Sequence, residues 1–273
     1  MPSRSAGEAF QKLVDIMARL RAPDGCPWDR EQTLESLRGF VLEETHEVLD
    51  AIDRGDTDAL RGEIGDLIFE GVFLAQVAAD EGRFTVVESL NAIAAKLIRR
   101  HPHIFDPAGR PLDTPGEVVT QWEQIKALEQ RDAGERRGVL RGVPKTLPAL
   151  LRAYEIGTRV AAVGFDWAQT TDVVDKIEEE VAELRQALTG EGHARAEEEM
   201  GDLLFSIANL ARKLGIEPES ALRKANGKFS TRFSALEEHL HTQGRSVHEA
   251  TLDEMEDAWK VIKTAQESKQ EDP

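Results

Sequence analysis

The chain repeats itself, and that repeat constrains its architecture more than any other feature. Glu43, Glu44 and Glu47 form an E-E-x-x-E motif, and sixteen positions after Glu47 comes Glu63-x-x-Asp66. A stretch 136 positions further on has the same order: Glu179, Glu180 and Glu183, then sixteen positions later Glu199-x-x-Asp202. Lys96-x-x-x-Arg100 is matched by Lys228-x-x-x-Arg232, and Trp122-x-x-x-Lys126 by Trp259-x-x-x-Lys263. A series of this length in one order reads as tandem duplication, so the chain is expected to fold as two copies of one unit.

Leu, Ala, Glu and Arg dominate the composition and β-branched runs are scarce, which predicts an all-α fold. The two copies are expected at residues 1–131 and 148–273. Between them, residues 132–147 lose apolar periodicity to Gly, Pro and charge and read as a linker. Apolar spacing places helices near 7–21, 32–54, 56–81, 84–100 and 115–131 in the first copy. In the second they fall near 148–163, 170–189, 193–214, 217–240 and 251–268. Two prolines and an Asp-Gly mark "RAPDGCPWDREQT" as a loop.

The formal net charge of −17 argues against nucleic-acid polymers and anionic membranes as partners. The lone Cys26 rules out an internal disulfide. The first residues lack a signal-peptide core and no long apolar run follows, so a cytoplasmic location is expected.

On a helix, positions three apart share a face. Glu44 with Glu47 and Glu63 with Asp66 would therefore meet across a helical hairpin, as would Glu180, Glu183, Glu199 and Asp202. An acidic helix face is commonly just solvated. Here, however, Asp66 and Asp202 sit in helices that read as apolar nearly all round, and such helices are expected to be buried. Unpaired buried carboxylates are costly, and within a turn of Asp66 the sequence offers Glu63, Glu70 and only Arg61. All-oxygen ligation then selects a hard divalent cation, Mg²⁺ or Mn²⁺. Glu43-x-x-His46 resembles half of a di-iron motif, but Ala182 replaces the histidine in the second copy. Acids beside Lys and Arg describe a polyphosphate site, and no glycine-rich phosphate loop is present.

These motifs, together with "GCPWD", "RRHPHIF", "VGFDW" and "AEEEMGDLLF", resemble the MazG family of all-α nucleoside triphosphate pyrophosphohydrolases across essentially the whole chain. The resemblance implies Mg²⁺-dependent hydrolysis of (deoxy)nucleoside triphosphates to monophosphate and pyrophosphate. It also implies a homodimer whose packing completes the helical bundles. Carried to this sequence, the metal ligands are Glu180, Glu183, Glu199 and Asp202 in the second copy and Glu44, Glu47, Glu63 and Asp66 in the first. Glu179 and Glu43 act from the edge, with Glu179, Glu180 and Glu183 as the catalytic set. Lys176, Arg195, Lys228, Arg232, Trp259 and Lys263 are expected on substrate, as are Lys96, Arg100, Trp122 and Lys126 in the first copy. Lys176 and Arg195 replace Phe40 and Ala59, so the second copy is the expected main catalytic site. The alternatives are a narrow dUTP, dCTP or phosphoribosyl-ATP pyrophosphatase, or a metal-clamped helical module that binds a partner without catalysis.

Overall fold

The structure, a computed structural model, describes residues 4–132 and 138–270. The described residues form helices and connecting turns with no strand. They divide into two compact units, Met1–Glu129 and Gln130–Pro273.

In the first unit α1 (Arg4–Arg21), α2 (Pro27–Glu31), α3 (Leu37–Arg54), α4 (Thr57–Asp80), α5 (Val86–Arg100), α6 (Pro102–Phe105) and α7 (Pro115–Asp132) follow in order. Its core is the C-terminal half of α4. Phe73 and Val77 are one turn apart and close against Met17 of α1 and Leu37 of α3, all nearly or fully buried. Trp28 sets its ring edge-on to Phe40 and Phe73, at 5.7 and 6.5 Å. Arg21 ties this end together. It pairs with Asp80 at 2.6 Å and donates to the carbonyls of Asp29 and Gln32.

Two expectations are corrected here. The proline-rich segment is not all loop: Pro27 opens α2, where its fixed φ and missing N–H suit the first helical position. Helix α3 starts at Leu37 rather than near residue 32, because Thr33 and Ser36 cap each other's backbone N–H at 3.0 and 3.2 Å and hold a turn.

The α3–α4 hairpin is tight. Gly55 ends α3 at φ 67°, a left-handed conformation that favours glycine. Asp56 then caps α4, accepting from the N–H groups of Asp58 and Ala59.

The second unit holds α8 (Ala149–Ala161), α9 (Thr170–Gln186), α10 (His193–Lys213), α11 (Pro218–Thr242) and α12 (Leu252–Gln270). A π-helical turn at Ala187–Glu191 prolongs α9. Helix α10 packs on α9 and α8, and α11 pairs with α12 around Leu236, Leu240, Ala258 and Ile262. Gly157 lets α8 approach the buried Asn209 of α10. Asp166, in the turn between α8 and α9, receives Arg212 and Lys213 from the end of α10 at 2.5 and 2.8 Å. No helix is long and apolar enough to cross a membrane among the described residues.

Candidate metal and phosphate site

Both hairpins bring their acids together. Glu44 of α3 meets Glu63 and Asp66 of α4, and Glu180 of α9 meets Glu199 and Asp202 of α10; in each triad carboxylate oxygens lie within 4.8 Å of one another. The motif's remaining acids join at the edge. Glu47 hydrogen-bonds to Glu63, and Glu183 acts on Glu199 by charge.

The surroundings of these acids differ from the sequence expectation in one respect. Asp66 and Asp202 are exposed, not buried. The apolar belts around them are covered on one side only, leaving Ile64, Ile68, Met200 and Leu204 each 45 % exposed. Burial falls instead on Glu180 and Glu199, at 4 % and 1 % exposure.

The carboxyl groups show the strain of this crowding. Burial raises Glu44, and the charges of Glu47, Asp66, Glu63 and Glu43 add to it. Burial likewise raises Glu63, helped by the hydrogen bond to Glu47. Glu199 is raised by burial and by Glu183, Glu180 and Asp202, with Arg195 opposing.

The two hairpins differ in cations. In the second, Lys176 reaches Glu180 at 2.8 Å and Glu179 at 2.9 Å, and these hydrogen bonds hold its ammonium well above the usual lysine range. Arg195 pairs with Glu198 at 2.6 Å and lies against Glu199 Oε1 in ion-pair contact without hydrogen-bond geometry. Both contacts to the triad are i, i+4 spacings and so were readable as a pattern in the sequence. The first hairpin has Phe40 and Ala59 at the equivalent positions.

These residues fit a divalent cation. Glu180 Oε2 is buried and lacks a hydrogen-bond partner, although a buried carboxylate oxygen normally has one, and the buried Glu199 Oε1 meets Arg195 in an ion pair without hydrogen-bond geometry. The donors are all hard oxygens, which suits Mg²⁺ or Mn²⁺. His46 is exposed and belongs to neither cluster, so no di-iron pair forms among the described residues.

The remaining candidates lie on later helices. Lys228 is exposed and Arg232 half-buried on α11, and Trp259 of α12 packs on Phe229 at 5.1 Å with the exposed Lys263 one turn further. In the first unit Lys96 is exposed. Arg100 is engaged elsewhere: it binds Glu129 at 2.7 Å, together with Arg99. Trp122 meets His101 at 5.1 Å. The side chain of Lys126 lies outside the described residues. Sequence reasoning counted Glu70 near Asp66 without assigning it to the site; it is 7 % exposed on α4, one turn past Asp66.

The model of the MazG nucleotide pyrophosphohydrolase domain matches residues 32–105 and 169–235, the two segments that carry these hairpins. The chain belongs to the MazG family. The nucleoside triphosphate pyrophosphohydrolase of Escherichia coli K12 is 48% identical over 259 residues, spanning 93% of this chain and 97% of that protein. The Thermotoga maritima nucleoside triphosphate pyrophosphohydrolase/pyrophosphatase MazG is 42% identical over 266 residues, 97% of this chain and 100% of that one. A Mycobacterium tuberculosis nucleoside triphosphate pyrophosphohydrolase is 35% identical over 165 residues, covering 60% of this chain and 48% of its own length. Membership of the MazG family makes this chain a hydrolase of acid anhydrides, with two tandem MazG domains.

Proposed function

We propose that this MazG protein hydrolyses nucleoside and deoxynucleoside triphosphates to monophosphate and pyrophosphate, with Mg²⁺ as cofactor and the second hairpin as the main catalytic site. One observation carries the choice of hairpin: among the described residues, lysine and arginine ion-pair with the acidic triad only there. Water attacks the α-phosphorus, a new P–O bond forms, the bond to the bridging oxygen breaks, and pyrophosphate leaves with that electron pair. Bound Mg²⁺ would supply a lowered water pKa and neutralise phosphate charge. Glu180, Glu183, Glu199 and Asp202 would hold it. Glu179, exposed at the edge and bonded to Lys176, would take the water's proton once Lys176 turns to phosphate. Lys176 and Arg195 would turn from carboxylate to the β- and γ-phosphates, with Lys228, Arg232 and Lys263 as further cationic contacts and Trp259 beside the base.

The reading extends to a cytoplasmic homodimer of broad substrate range that serves nucleotide-pool housekeeping or stress regulation. Helix α5 supports dimerisation, since it buries none of its residues yet exposes Val87, Leu90, Ile93 and Leu97 at helical spacing.

The test incubates each common triphosphate with Mg²⁺ and separates pyrophosphate from orthophosphate. Pyrophosphate release that Glu183→Ala abolishes and Glu47→Ala largely spares is the expected result. Orthophosphate alone would overturn the reaction, and the opposite mutant pattern would move catalysis to the first hairpin.

A further inference from the structure

The two hairpins carry the same acidic motif in opposite electrostatic settings. In the second, Lys176 and Arg195 already occupy Glu180 and Glu199. In the first, none of Glu44, Glu47, Glu63 or Asp66 forms an ion pair with a described lysine or arginine. Arg54 acts on Glu63 only at a distance and is itself paired with Asp50 at 3.2 Å.

The first hairpin also carries an additional acid. Glu70 follows Asp66 by one turn on the same face of α4, within electrostatic reach of Glu44 and Asp66. It is 7 % exposed and its Oε2 has no hydrogen-bond partner. That oxygen is out of water without a partner, an unfavourable setting for a charged carboxylate unless a cation meets it. The equivalent position of the second hairpin, 136 residues on, is Ser206, which is buried and uncharged.

We infer that Glu70 is a fifth carboxylate of a first-hairpin cation site that fills with a divalent metal in the absence of nucleotide. The second site fills only when a triphosphate draws Lys176 and Arg195 off the acids. The physical reason is charge balance. An uncompensated group of five acids attracts a divalent cation directly, whereas at the second site an incoming cation must first displace an ammonium and a guanidinium from their partners. The first site is thus a resident metal centre, and the second takes its metal together with substrate. The inference concerns metal loading, so it stands or falls separately from the catalytic reading.

The experiment titrates the full chain with Mn²⁺, following free ion by electron paramagnetic resonance, with and without a non-hydrolysable triphosphate. Wild type is expected to take up Mn²⁺ without nucleotide. Glu70→Gln and Glu70→Ser should each weaken that uptake about tenfold or more, while Glu180→Gln leaves it unchanged. Adding the analogue should bring further uptake in wild type and the Glu70 variants, but not in Glu180→Gln. Circular dichroism keeps the test sound: the variant that retains wild-type helicity is the one scored. Absence of nucleotide-free uptake, or unchanged affinity in a folded Glu70 variant, overturns the inference, as does loss of nucleotide-free uptake in Glu180→Gln. Pyrophosphate release from the same wild-type preparation separates the two readings. Release without nucleotide-free uptake defeats only this inference, and uptake without release defeats only the catalytic one.

Discussion

Gly157→Ala should destabilise the second unit, although alanine is the better helix former by about 1 kcal/mol. Gly157 lies inside α8 and is buried against α10. A Cβ at this position would stand 2.3 Å from Asn209 Oδ1 and 3.0 Å from Arg212 Nε. Ordinary carbon–oxygen contact begins near about 3.3 Å, so the methyl group is roughly 1 Å too close. Asn209 cannot simply retreat. Its amide donates to the carbonyl of Phe205 at 3.1 Å, and its Oδ1 accepts from Arg212 Nε at 3.3 Å. Arg212 is fixed in turn by Asp166. Relief requires rotating Asn209 out of both bonds or parting the two helices, either of which costs about 2–3 kcal/mol. After the propensity gain, the net loss is about 1–2 kcal/mol, a fall of about 3–7 °C in the melting midpoint of a unit this size. Urea unfolding of the single and double variants isolates the cause. Asn209→Ala removes the 2.3 Å contact and leaves Arg212 Nε at 3.0 Å, a flexible side chain that can yield, so Gly157→Ala should then stabilise, by up to about 1 kcal/mol. If the glycine substitution has the same sign in both backgrounds, the close-approach reasoning is wrong.

Two further predictions concern ionisation. Hydrogen bonds from Arg100, then Arg99, hold the Glu129 carboxyl down to about 2. A depressed acid stabilises above its ordinary value and loses that contribution as pH falls towards 2. Discounted for solvent screening, Glu129→Gln should cost about 1 kcal/mol at pH 7, and the difference from wild type should vanish near the acid limit in pH-resolved urea unfolding. Glu44, Glu63, Glu70 and Glu199 are shifted the other way, each first of all by burial. Their contribution is complete below the ordinary glutamate range and is lost as pH rises through their raised values. Chelated protein should therefore melt higher on acidification from pH 7 to 5, and Mg²⁺ should stabilise it most at pH 7, where the acids are charged. A chelated midpoint that drops over that interval contradicts the assignment.

Much of this molecule was legible because duplication prints the same pattern twice. Sixteen-residue spacing put each Glu-x-x-Glu opposite its Glu-x-x-Asp, and the helices that carry them fall where expected, apart from the late start of α3 at Leu37 and the early end of α9 at Gln186. Exposure was not legible. A helix apolar on every side looks the same whether its second face meets its own chain or is left open, and Asp66 and Asp202 fell on the open side. The pairing of Lys176 with Glu180 and of Arg195 with Glu199 was written as i, i+4 spacing, but reading both cations as substrate contacts obscured it. Glu70 was counted among the acids near Asp66, yet only packing shows that its oxygen is buried without a partner. The π-helical turn after α9 has no sequence signature comparable to the Gly55–Asp56 stop after α3.

That last contrast has a dynamic outcome. Helix α4 begins under the Asp56 carboxylate, whereas α10 begins at Gly192, φ 88°, with no side chain over its first amides. Amide protons at the head of α10 should exchange with solvent sooner than those at the head of α4. The turn leading to Arg195 and Glu199 is expected to fray more readily than its counterpart before Glu63, which the Asp56 cap holds. Duplication has left one hairpin whose second helix is capped by a side chain and one whose second helix starts without that cap.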